Sequence, residues 1–359
     1  MSDARILFLD DDPVIRILRF IFECRENDRW LADYFAPERV DLRRLVQASR
    51  GLRTADGATV GVQGDAAHRV EDASIIVFRR GDVTSSLIDA HPSLRLVQRL
   101  GARSDAIDVT AARERGVRIS CLPRRTLAWT AEHALLLMLA LGKQLVVGDR
   151  AVREGRSAVE HGIDGVSYNW VGFARASGLA GRTLGIVGVG EVGTLVAKLA
   201  SAFGMTVLYW KPRRADLALE RRLGVRYAEL GELLAESDYV SLHAPARAET
   251  ENMAGASFFR SMKRTAYFVN TSRGRLVDET ALYEALTSGA IAGAGLDVHA
   301  IEPRPAGDRL AALENVILTP HYAGGAKSGL LDELETIIGN CRAALEGGRI
   351  AGEVPADLA

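Results

Sequence analysis

With 359 residues, 48% of them apolar and 25% charged, the chain is long enough to bury two hydrophobic cores and has the composition of an ordinary globular protein. A formal net charge of −1 gives no electrostatic case for nucleic acid or an anionic membrane, which leaves a small molecule as the natural partner. Cys24, Cys121 and Cys341 are scattered without C-x-x-C spacing, which argues against a disulfide framework or a metal site and points to a reducing cytoplasm.

The Met1 end lacks the order of a signal peptide, and the longest apolar run, Ala134 to Leu141, is too short to span a bilayer. In chain order, ILFLD at Ile6 to Asp10 and SIIVF at Ser74 to Phe78 read as short buried strands. The polar stretch between them, Gln47 to Val70, has no legible period. LRLVQRLG at Leu94 to Gly101 and VRISCLP at Val117 to Pro123 read as two further strands, separated by a helical pattern over Ile107 to Arg115. A long helix starting near Trp129 is apolar almost all round, which predicts burial between layers or domains, or a dimer contact. Arg153 to Leu179, rich in Gly, Ser and aromatics, reads as a surface connector.

From Thr183 the alternation becomes regular: TLGIVGVG, a helix over Glu191 to Phe203, MTVLYW, a helix over Glu229 to Glu236, SDYVSLHAP, then AYFVNTS, GAGLDV and VILTPH. The C-terminal helix, roughly Lys327 to Glu346, has no sheet of its own to cover and is expected to return to the first domain. The fold class is α/β, with two doubly wound parallel-sheet domains. A Rossmann nucleotide domain at 124–322 is inserted in a flavodoxin-like substrate domain at 1–123 and 323–359.

GVGEVG, formed by Gly188, Val189, Gly190, Glu191, Val192 and Gly193, follows a strand and opens a helix. In that context Gly188 permits the tight turn, Gly190 lets backbone N–H groups approach a pyrophosphate, and Gly193 allows helix and strand to pack closely. About 20 residues further on, where an acid would hold the ribose hydroxyls of NAD, the chain has Lys211, with Arg213 and Arg214 just beyond. Cations suit a 2′-phosphate, which predicts NADP(H) over NAD(H).

Three later motifs carry NTSRG around Arg273, LDVHAIEP around Asp297 and Glu302, and TPHYAGG around His321. Each lies at the carboxyl end of a predicted strand, where open α/β sheets bind ligands. A guanidinium can anchor a carboxylate and polarise a neighbouring keto oxygen. An imidazole beside a carboxylate can deliver a proton to the oxygen that becomes an alcohol.

Over about Ser74 to Leu345, including GARSDAIDVTAARERGV and TAEHALLLMLAL, the chain resembles the D-isomer-specific 2-hydroxyacid dehydrogenase family, glyoxylate/hydroxypyruvate reductases among them. The resemblance implies His321 as acid/base, Glu302 as its partner and Arg273 as binder of the substrate carboxylate and carbonyl. It places His243, Pro245, Thr271 and Asp297 near the nicotinamide and its ribose, with Asp297 on the carboxamide. The implied reaction is NADPH-dependent reduction of a 2-oxoacid to the R alcohol in a homodimer.

Substrate contacts are expected from Arg80 and Gly81 in one loop and from Ala102 and Arg103 in another, where Arg103 replaces a family glycine. Arg79, Arg80, Arg103, Arg124 and Arg125 also raise the possibility of a second anionic group, such as a phosphate or phosphonate, on the substrate. Two other readings are a corepressor-like, dinucleotide-dependent binding protein and, from Asp10, Asp11 and Asp12, a signalling receiver domain. For the latter no matching phosphoacceptor and lysine are found, and the three acids read better as loop caps.

Overall fold

The computed structural model describes residues 4–37, 39–55, 72–155, 176–324 and 327–355. It divides into two compact units, one of Met1–Thr126 with Ala326–Ala359 and one of Leu127–Gly325. Most of Gln47 to Val70 and of the connector after Arg153 lies outside the described residues.

The first unit opens with β1 (Ala4–Phe8), α1 (Pro13–Phe22), α2 (Arg29–Phe35), α3 (Arg43–Ala48) and β2 (Leu52–Thr54). It continues through β3 (Ile75–Phe78), α4 (Ser85–Asp89), β4 (Leu96–Leu100), α5 (Val109–Glu114) and β5 (Arg118–Leu122). The five strands are parallel in the order β2-β1-β3-β4-β5, the flavodoxin-like winding. Every residue of β3 is buried, because a parallel strand is covered on both faces. Asp12 caps α1 by accepting from the Val14 amide, and Pro13 supplies the first helical residue.

The second unit contains most of α6 (Arg125–Gly142), then α7 (Leu145–Arg153), β6 (Thr183–Val187), α8 (Glu191–Ala202), β7 (Thr206–Trp210), α9 (Leu217–Leu223) and β8 (Val225–Tyr227). It closes with α10 (Leu230–Glu236), β9 (Tyr239–Leu242), α11 (Ala256–Ser261), β10 (Tyr267–Asn270), α12 (Glu279–Thr287), β11 (Gly293–Leu296) and β12 (Val316–Leu318). Its seven strands run β8-β7-β6-β9-β10-β11-β12, so the order reverses beside β6. Ligands of open α/β sheets bind at such a switch point, outside the carboxyl ends of the strands.

The last helix, α13 (Lys327–Glu346), packs on β4 and α3 of the first unit. Leu330, Leu334, Ile337, Ile338 and Cys341 are buried at helical spacing, and the Asn340 amide donates to Gln98 Oε1 at 2.7 Å. Helix α6 starts at Arg125, ahead of the expected Trp129, because no apolar period marks its first turn. Ala131, Ala134, Leu135, Met138 and Leu141 bury against the second sheet, whereas Leu136 stays exposed, so the helix is not covered all round. No helix among the described residues is long and apolar enough to cross a membrane.

Candidate active site

The GVGEVG turn joins β6 to α8. Gly188 has φ +103°, and a side chain there would also collide with the backbone of His243, so only glycine fits without strain. A Cβ on Gly193 would strike the Gly188 carbonyl, which sets how closely helix and strand approach. At Gly190 the same construction meets nothing within 4 Å. That open side of the turn faces the start of α8, whose N-cap has no side-chain hydrogen bond. Backbone donors and open space together suit a pyrophosphate.

Nearby, the buried Thr271 hydroxyl finds no hydrogen-bond partner among the described residues. Its position just past β10 is where a cofactor hydroxyl or amide could satisfy it. His243 follows β9 and contacts Ser241 Oγ at 2.8 Å; burial pushes its imidazole down to about 4, so it is neutral at physiological pH. Pro245 is exposed, and its carbonyl accepts from the Thr250 hydroxyl at 2.7 Å. These features fit a nicotinamide dinucleotide.

The basic loop after β7 is less uniform than its sequence. Arg214 makes a bidentate contact with Glu220, Nε to Oε1 at 2.7 Å and Nη2 to Oε2 at 2.8 Å, and the Tyr209 hydroxyl donates to Glu220 Oε1 at 2.6 Å. The Arg214 and Tyr209 hydrogen bonds hold Glu220 down at about 2. Burial, followed by the contact with Glu220, pushes Tyr209 up to about 12. Of the three cations in this loop, Arg214 is thus paired with a carboxylate while its side chain stays 53% exposed. Lys211 and Arg213 have no carboxylate within ion-pair distance among the described residues.

Arg273 lies on the turn after β10. The fully buried Asn270 shapes that turn, donating to the Arg273 carbonyl and accepting from the Ser272 amide, both at 3.0 Å. The Arg273 guanidinium is exposed, with one hydrogen bond, to the Ser272 carbonyl at 2.6 Å. No carboxylate pairs with it among the described residues.

His321 and Glu302 meet at 2.7 Å, Nδ1 to Oε2, while Glu302 Oε1 accepts from the His299 amide at 2.9 Å. Burial would raise the Glu302 carboxyl, but hydrogen bonds from His321 and His299 and the nearby positive charge outweigh it and hold the group below its ordinary value. The pair borders a cavity of about 550 Å³ lined also by His299, Pro303, Arg304 and Thr319. His321 has φ +55°, a left-handed conformation that costs a residue with a Cβ roughly 1–2 kcal/mol. Surrounding contacts must hold it there.

Asp297 supplies several of those contacts. It is fully buried and accepts from Thr319 Oγ1 at 2.7 Å, the Tyr322 amide at 3.1 Å and the Ala323 amide at 2.9 Å. Both oxygens thus hold the His321 loop. His133 Nε2 lies 3.0 Å from the same Thr319 hydroxyl, and its ring meets Tyr322 edge-on. Because that hydroxyl already gives its proton to Asp297, His133 must donate. Burial lowers the His133 imidazole despite the opposing effect of Asp297.

The two substrate loops expected from sequence belong to the first unit. Asp10 Oδ2 accepts from the amides of Arg79 and Arg80 at 2.7 and 3.0 Å, so the acid after β1 caps the loop that carries Arg80 and Gly81. Asp12 pairs with the Arg79 side chain and, at 3.5 Å, with Arg80. In the second loop Ala102 and Arg103 are exposed, and Arg103 pairs with Asp105 at 2.7 Å. Arg124 and Arg125 pair with Glu333 at 3.4 Å and Asp332 at 3.3 Å. Each of the five arginines considered for a second substrate anion already has an acidic partner.

Comparison with known proteins bears on this geometry directly. Residues 135–323 match the family described as D-isomer specific 2-hydroxyacid dehydrogenase, NAD binding domain. A glyoxylate reductase of Korarchaeum cryptofilum is 42% identical over 293 residues, covering 81% of this chain and 83% of the relative. The chain belongs to the D-isomer specific 2-hydroxyacid dehydrogenase family. It is an NAD(P)-dependent oxidoreductase.

Among solved structures, a glyoxylate reductase from Paecilomyes thermophila has 29% identity and a TM-score of 0.57, with 99% of each chain covered. A D-isomer specific 2-hydroxyacid dehydrogenase from Xanthobacter autotrophicus, in complex with NADPH and MES, has 26% identity and a TM-score of 0.58 over 99% of this chain and 98% of that one. The dehydrogenase match spans the cofactor turn, Arg273, Glu302 and His321. Sequence reasoning alone missed Asn270, Thr319, His133 and Glu220. Asn270, His133 and Thr319 lie in the quoted NTSRG, TAEHALLLMLAL and TPHYAGG runs, whereas Glu220 carried no local signal.

Proposed function

We propose that the protein reduces a small 2-oxoacid to the D (R) 2-hydroxyacid with NADPH, glyoxylate and hydroxypyruvate being the first candidates. The observation that carries this reading is the presence, within one unit, of an arginine with no carboxylate partner among the described residues and of a histidine–carboxylate pair 2.7 Å apart. When bound, the nicotinamide supplies the hydride. Arg273 anchors the substrate carboxylate and polarises its keto oxygen through planar donation. His321, protonated and held by Glu302, gives its proton to that oxygen as the carbonyl is reduced, and in the reverse direction takes it back.

Lys211 and Arg213 support the preference for NADPH, since both are available to a 2′-phosphate. A relative named glyoxylate reductase supports a small substrate. Each of Arg79, Arg80, Arg103, Arg124 and Arg125 has an acidic partner, which favours that substrate over a phosphorylated or phosphonylated one, although Asp12 serves both Arg79 and Arg80 and Asp105 both Arg99 and Arg103. The His321–Glu302 pair favours catalysis over a corepressor-like role. Exposed apolar side chains on α6 and α7 support a homodimer.

The test follows loss of NADPH and of NADH against glyoxylate, hydroxypyruvate, pyruvate, phosphohydroxypyruvate and phosphonopyruvate. Turnover selective for NADPH is expected, with the unphosphorylated acids preferred. No turnover of any oxoacid by protein that binds NADPH would overturn the reductase reading in favour of the binding one.

A further inference from the structure

We propose that His299 is a positioning residue that ties the loops of Arg273, Glu302 and His321 together, and that Arg304 and the Thr319 carbonyl together fix the tautomer in which it does so. The proposal rests on the reductase reading above. His299 is 7% exposed, on the turn after β11. Its Nδ1 lies 3.1 Å from Arg304 Nε, and its Nε2 lies 2.9 Å from the Thr319 carbonyl. A guanidinium N–H can only donate, so Nδ1 is the acceptor and the ring proton sits on Nε2. The ring therefore donates to Thr319.

Arg304 is itself fixed, by Glu279 at 2.5 Å and Asp308 at 2.6 Å, with its side chain 11% exposed. The Thr319 carbonyl that receives the His299 ring also accepts from the His321 amide at 3.0 Å. It thus anchors the turn that keeps His321 at positive φ. The His299 amide meanwhile donates to Glu302 Oε1, whose other oxygen contacts His321. One residue consequently contacts the backbone behind His321 through its ring and the carboxylate in front of it through its amide.

The third loop is held by shape. A Cβ on Gly274, the residue after Arg273, would overlap the His299 carbonyl oxygen, so the two backbones are in direct contact. None of these contacts requires His299 to touch substrate. Its contribution is to fix the distance and angle at which His321 meets Glu302, and geometry of that kind shows in turnover more than in ground-state binding.

The experiment compares His299→Phe, which keeps a ring and the backbone amide but removes the ring's two hydrogen bonds, with His299→Gln, which can still donate to Thr319, and with Arg304→Met. For His299→Phe, kcat is expected to fall at least about tenfold while the oxoacid KM stays within about threefold. His299→Gln should recover to within about threefold of wild type, and adding Arg304→Met to His299→Phe should cost little more, since both act on one network. An activity-independent reading comes from ¹⁵N-histidine NMR, which should report the Nε2–H tautomer for His299, kept in Arg304→Met because the Thr319 carbonyl still accepts from it, with the Nδ1 resonance shifted by loss of the guanidinium donor. An Nδ1–H tautomer in the wild type, a His299→Phe variant within about twofold of wild-type kcat, or equal impairment by Gln and Phe would each overturn the assignment. A wild-type protein with no oxoacid turnover would instead sink the reductase reading on which it rests.

Discussion

In the role proposed for it, His321 needs two things from its surroundings: a carboxylate partner for the ring, and a backbone that aims the ring at the substrate. Glu302 supplies the first at 2.7 Å. Asp297 helps supply the second by accepting from Thr319, Tyr322 and Ala323 on either side of a residue at φ +55°. Replacing His321 with Ala should therefore lower kcat by about 10²–10⁴-fold, the range of general acid catalysis, with NADPH affinity retained. Stopped-flow reduction together with cofactor-binding fluorescence would check this, and near-normal turnover would remove His321 from the proton-donor role. The three candidate residues were legible because each sits in a short motif beside Gly or Pro. Whether an arginine was free was not legible, because the acids that neutralise Arg79 and Arg124 lie far away in sequence, at Asp12 and Glu333.

The loop from β7 to α9 shows how one element divides a run of like charges. Lys211 and Arg213 have no carboxylate partner among the described residues, while Arg214 is held by Glu220 along the surface and packs its guanidinium over Tyr227 at 5.5 Å. Lys211→Asp combined with Arg213→Ala should shift the NADPH/NADH ratio of kcat/KM toward NADH by at least about tenfold, since one charge-assisted hydrogen bond contributes roughly 1.5–3 kcal/mol. Arg214→Ala should leave that ratio within about threefold and lower stability instead. The sign with pH follows from Glu220, whose folded value of about 2 lies below its unfolded one. Its stabilisation is fully present above the ordinary carboxylate range and is lost as pH falls through the folded value. Without Arg214 that loss moves to higher pH, so thermal unfolding followed from about pH 6 to about pH 3 should drop earlier in the variant. An unchanged cofactor ratio in the double variant would refute the 2′-phosphate contact. Of this element the sequence revealed the strand but neither α9 nor β8, because seven- and three-residue elements are too short to establish a period.

At the scale of the molecule, strands buried on both faces gave the second unit a strong signal, and β6, β9, β10 and β11 fall within the runs that the alternation marks out. The first unit was harder to read. Its helices α1 to α3 follow one another closely, and its edge strand β2 has three residues. A surface property adds the last expectation. On α6 and α7, Leu136, Leu145, Val146 and Val152 are between 47% and 64% exposed, while the α7 charges Arg150 and Arg153 pair with Glu314 and Asp149. A single exposed leucine is ordinary, but several on consecutive helices favour an apolar partner. A second copy offers the same face through a twofold axis. Sedimentation velocity at micromolar concentration should then give twice the 38.8 kDa chain mass, and Leu145→Glu with Val152→Glu should give a folded monomer. A wild-type chain that sediments as a monomer would show that these side chains face solvent and that the dimer is not part of this protein.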